Sequence, residues 1–138
     1  MIKHFTTPEF ADLLKQYGIE IATPFGIDKH LDILAIGYEG NCISLIDKSG
    51  YSSYEKYTKP AYLLSEVLTW LPDTVIIKGI DCTLEVIDAQ IGKFRYNGRT
   101  YSESVQRGWL PIEQLITQGI TEGWLTKEII EQQIKDKQ

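Results

Sequence analysis

The chain has 138 residues and a net charge of −5, with 43% hydrophobic and 24% charged residues. That balance is globular, long enough to bury a core without a metal or disulfide staple, and it excludes wholesale disorder. No stretch is strongly basic, and no apolar run nears the roughly 20 residues that span a bilayer, so neither a phosphate-tracking surface nor a membrane helix is expected.

Residues 1 to 7 lack the apolar core of a secretory signal, so the expected location is the cytoplasm of a bacterial or infected host cell. A first helix is well signalled. Thr7 can cap it, Pro8 fits its first position, and Phe10, Leu13, Leu14 and Tyr17 make one apolar stripe. Gly18 supplies a left-handed terminus. Ile19 to Thr23 alternates as a short strand, broken by Pro24-Phe25-Gly26. Leu31 to Gly37 and Asn41 to Asp47 read as a hairpin. Residues 48–59 are polar and rich in tyrosine. A helix is expected from Pro60 to Leu71, stopped by Pro72.

The second half opens with strands over Thr74–Ile80 and Cys82–Asp88. Lys93–Tyr96 and Arg99–Tyr101 follow, joined by Asn97-Gly98, the dipeptide that best tolerates the positive φ of a tight hairpin. Pro111 to Gln118 reads as a helix closed by Gly119. Thr126 caps a last helix carrying Ile129, Ile130 and Ile134, with Trp124 positioned to pack back on it. The expected fold is α+β: a single compact domain over 1–138, with one mainly antiparallel sheet of five to six strands and helices chiefly on one face. A disordered tail is expected over 135–138. The two strand ends Ile46-Asp47 and Ile87-Asp88 look alike, but only the first leads into a long loop. The shared ending is therefore read as an apolar strand stopped by a turn-favouring carboxylate.

Chemistry is sparsely signalled. Asp28, His30 and Asp32 could form an acid–base or ligand-binding cluster at a strand entrance. The chain has two histidines and two cysteines with no metal-ligand spacing, so neither a metal nor another cofactor is expected. Cys42 and Cys82 lie in apolar strand context and read as buried thiols. No catalytic residue can be assigned, and the balance leans away from an enzyme. Lys93, Arg95 and Arg99 flank Phe94 and Tyr96 in a pattern that single-stranded nucleic acid could use, although a hairpin with its rings in the core explains it more simply. Tyr51, Tyr54, Tyr57 and Tyr62 make the stronger signal. Tyrosine offers a large contact area at small entropic cost, as a protein partner or self-association would need.

The capped helix with Glu9, Leu13, Leu14 and Gly18 comes first. Strands follow, then Leu68-Thr69-Trp70-Leu71-Pro72, a strand meander and C-terminal helices. In this order of elements, over residues 7–120, the chain resembles small phage- and prophage-encoded proteins of Bacteroides-like bacteria. The resemblance implies an accessory role in a mobile element, brings no catalytic residues with it, and points to a non-enzymatic protein that binds a protein partner.

Overall fold

The computed structural model describes residues 4–28, 33–36, 41–44, 51–53, 59–88, 93–98 and 110–137. The fold is α+β, and the chain divides into two compact units, residues 1–65 and 66–138. The strands also differ from expectation. Instead of one sheet of five to six strands, the described strands form two antiparallel sheets, one of five and one of four. The physical reason lies in the pairing: among the described residues, the strands before residue 62 bond only with one another, and so do those after residue 73.

In the first unit, helix α1 (Pro8–Gln16) begins as its sequence dictates: the Thr7 hydroxyl accepts the Phe10 amide at 3.3 Å, and Pro8 opens the first turn. Gly18, at φ 70°, closes it, and the Ile19 amide bonds back to the Leu14 carbonyl at 2.8 Å. The expected strand over 19–23 does not form. Thr23 instead donates to the Ala61 carbonyl at 2.7 Å and accepts from the Phe25 amide, which turns the chain into β1 (Phe25–Ile27).

The sheet runs β4-β3-β2-β1-β5, with β2 at Ile33–Ile36, β3 at Asn41–Ser44, β4 at Tyr51–Ser53 and β5 at Lys59–Ala61. The expected hairpin is therefore present as β2–β3, with Ala35 opposite Ile43. The helix expected from Pro60 starts later. Pro60 sits opposite Gly26 in β5, the last strand of its sheet, where a missing N–H is tolerated, and α2 covers only Leu64–Leu68. Phe5, Ile27, Ile33 and Ala61 form the local core, with Phe5 edge-on to Phe25 at 5.1 Å.

In the second unit the sheet order is β6-β7-β8-β9, with β6 at Thr74–Ile77, β7 at Ile80–Asp88, β8 at Lys93–Gly98 and β9 at Leu110–Pro111. Two of its turns depart from expectation. The first hairpin turns at Lys78-Gly79, both with positive φ (52° and 79°), not at Asp81. Asn97-Gly98 is no turn: Asn97 pairs with Thr83 and Gly98 with Cys82, both inside the β7–β8 ladder.

Helix α3 runs Ile112–Glu122, past the stop expected at Gly119, and Gly123 at φ 86° ends it. Gly119 lies inside the helix, and the position demands glycine because a Cβ there would meet Leu125 Cβ at 2.8 Å and the Trp124 ring at 2.9 Å. Thr126 caps α4 (Lys127–Asp136) as predicted, accepting the Ile129 amide at 3.3 Å. The tail is more ordered than expected. The helix includes Lys135 and Asp136, and the Lys137 ammonium donates to the Thr69 carbonyl at 2.7 Å and the Leu71 carbonyl at 3.3 Å. No described helix is long and apolar enough to cross a membrane.

Candidate functional site

β6 is the outermost strand of its sheet, and among the described residues nothing pairs with its second edge. Its alternation is regular: Val75 and Ile77 are buried, while Thr74 and Ile76 face outward. The backbone follows the same period. Asp73 accepts the Leu84 amide at 2.8 Å, so the bonded antiparallel pairs are 73/84, 75/82 and 77/80. The N–H and C=O groups of Thr74 and Ile76 consequently point away from β7, along the free edge. Ile76 is 65% exposed, the most exposed large apolar side chain among the described residues.

Beside this edge lies a cleft of ≈ 570 Å³. Pro72, Thr74, Val75 and Ile76 form one side, and Gly123, Trp124, Ile129 and Gln133 the other. Asp81 is its one charged lining residue. Trp124 is held firmly: its ring meets Tyr96 edge-on at 5.2 Å, and its indole N–H donates to Glu122 at 3.0 Å. The Tyr96 hydroxyl in turn donates to the Pro72 carbonyl at 2.6 Å, which fixes the residue that leads into β6. Burial first, and the nearby Asp73 charge second, push the Tyr96 hydroxyl far above its usual pKa. The cleft is thus anchored on one side by buried Trp124 with its indole N–H satisfied, and on the other by a strand with nothing paired to its outer edge among the described residues.

None of the described residues singled out from sequence as candidate site residues lines this cleft. Tyr62 is core, 2% exposed, and its hydroxyl donates to the Ile21 carbonyl at 2.7 Å, so its ring serves packing within the first unit. Tyr51 begins β4 opposite Ile43, while Tyr54 and Tyr57 lie outside the described residues. Asp28 follows β1, and His30 and Asp32 lie outside the described residues. Lys93 opens β8 opposite Asp88 on one side and Pro111 on the other. Arg95 is engaged by Glu85 at 2.8 Å, and the Asn97 amide donates to the same carboxylate at 3.0 Å. Arg99 lies outside the described residues. Phe94 and Tyr96 are buried, as the simpler hairpin reading expects of them.

Cys82 carries a free thiol, fully buried, and burial raises its pKa, which disfavours a reactive thiolate. Cys42 lies in β3 opposite Ile36 and Ser52. Among the described residues no three His, Cys, Asp or Glu side chains gather as a metal ion requires. The open β6 edge escapes sequence reasoning because strand order, not composition, decides which strand is outermost. The signal that could have found it is Lys78-Gly79, which fixes the length and end of β6.

Comparison with protein families, with curated proteins and with solved structures finds no match to this chain.

Proposed function

We propose that this chain is a binding protein that takes an extended segment of a protein partner onto the free edge of β6. One observation carries the reading: an edge strand with outward backbone donors and acceptors at Thr74 and Ile76, topped by a largely exposed isoleucine and flanked by an apolar cleft. An added strand gains affinity from main-chain bonds and specificity from side chains set into neighbouring hollows. Here the hollow beside Ile76 is lined by Trp124 and Ile129. The strand itself lacks two of the devices that usually keep such edges unpaired. Thr74–Ile77 contains no proline and no charge, and β-branched residues fill it. A partner-binding accessory role agrees with the phage-protein resemblance in element order.

The test is a titration of isotopically labelled protein with a soluble synthetic peptide of alternating valine and threonine flanked by lysines. The expected result is amide shifts concentrated at Thr74 and Ile76 and their loss in I76K, because a lysine on an edge strand opposes pairing. Shifts confined to other elements would overturn the assignment of the surface.

A further inference from the structure

We infer that the segment received on this edge is β6 of a second copy of the chain, paired antiparallel about a two-fold axis. The inference rests on the edge-binding reading above and names its partner.

Three features make β6 complementary to itself. The first is charge. The four-residue strand is preceded, one residue before its start, by exposed Asp73 and followed, one residue past its end, by exposed Lys78. Antiparallel pairing brings each acid to within one register position of the other copy's base, whereas parallel pairing would set like charges together. The second is the hydrogen-bond pattern. Outward groups occur at Thr74 and Ile76, two apart, so Thr74 can exchange both bonds with the second copy's Ile76 and the reverse, with Val75 facing Val75 on the axis. The third is apolar area. In that register the two Ile76 side chains, each 65% exposed in one copy, become diagonal neighbours on one face.

The geometry also explains why such pairing would stop at two copies. The other edge of this sheet is β9, only two residues long, and one of them is Pro111, which has no N–H to donate. On the β6 side, Pro72 and the Lys78-Gly79 turn bound the strand. An isologous contact on one short edge closes on itself and, among the described residues, leaves no matching long edge in this sheet for a third copy.

A contact of this length belongs to the small, transient class of interfaces, so the expected dissociation constant is on the order of 100 µM. Sedimentation equilibrium on the full chain, from micromolar to millimolar concentration, should show a monomer–dimer equilibrium. I76K should weaken it about tenfold or more, since it sets two lysines as diagonal neighbours on one face across the axis. D73K and K78D should each weaken association, and the weakening by each should grow as salt is lowered. An equimolar mixture of D73K and K78D should form a heterodimer, and the double variant D73K/K78D should associate as the parent does. Aspartate tolerates the positive φ of position 78, so the turn is kept.

A chain that remains monomeric to millimolar concentration overturns the inference, as does a dimer indifferent to I76K and to both charge reversals. If the dimer is missing while the valine–threonine peptide still shifts Thr74 and Ile76, self-pairing falls and the edge-binding reading stands. If both are missing, both fall.

Discussion

Tyr96 joins a buried phenol to the backbone that leads into β6. Its hydroxyl donates to the Pro72 carbonyl at 2.6 Å, and its ring meets Trp124. Replacing it with phenylalanine leaves that carbonyl without its donor, so Tyr96→Phe should lower stability by about 1–2 kcal/mol in chemical denaturation. The alkaline limb should change as well. The folded phenol is held protonated by burial, while the unfolded one ionises near its ordinary value of about 10. Tyr96 therefore contributes its full stability below that pH and loses it as the pH rises further; the phenylalanine variant should lack that part of the decline. Gly119 makes the opposite point, a residue chosen for having no side chain. With Leu125 and Trp124 already within 2.9 Å of where a Cβ would sit, Gly119→Ala should cost about 1–3 kcal/mol despite alanine's better helix propensity. A thermal melt in which Gly119→Ala equals or exceeds the parent would show that the packing is looser than described.

At the scale of elements, what could be read in advance was what short-range chemistry decides. Thr7 and Thr126 cap helices where their hydroxyls reach the third amide onward, and Gly18 ends α1 in a left-handed conformation. What escaped was decided by partners far away in sequence. Asn97-Gly98 has the chemistry of a turn, yet Thr83 and Cys82 continue the ladder opposite it, and Asn97 spends its amide on Glu85. The turn chemistry is met instead at Lys78-Gly79, where a lysine adopts φ 52°. Pro60 and Ala61 have the sequence context of a helix start and are strand, because Gly26 and Phe25 pair with them. Tyr62, read as a surface anchor, is core for the same reason: the Thr6 hydroxyl accepts its amide and Ile21 accepts its hydroxyl. A prediction belongs to this scale. Gly79→Val asks a β-branched residue to hold φ 79°, and should destabilise the β6–β7 hairpin by about 1–2 kcal/mol, read as a lowered denaturation midpoint.

At the scale of the whole molecule, the decisive fact is that the strands divide between two sheets instead of joining one. A single sheet has two edges; two sheets have four, and each must be paired, covered or blunted. β5 carries Pro60 and β9 carries Pro111, whereas β4 and β6 carry neither proline nor charge, and β6 presents Ile76 to solvent. The central claim is that this edge exists to be paired, and backbone amide exchange tests it most directly. Val75 and Ile77 bond to β7, while among the described residues the amides of Thr74 and Ile76 have no strand to bond until one is added. Between micromolar and millimolar concentration, the Thr74 and Ile76 amides should slow by about tenfold with Val75 and Ile77 unchanged. Thr74 and Ile76 amides that exchange equally fast at both concentrations, and with the valine–threonine peptide added, would contradict it.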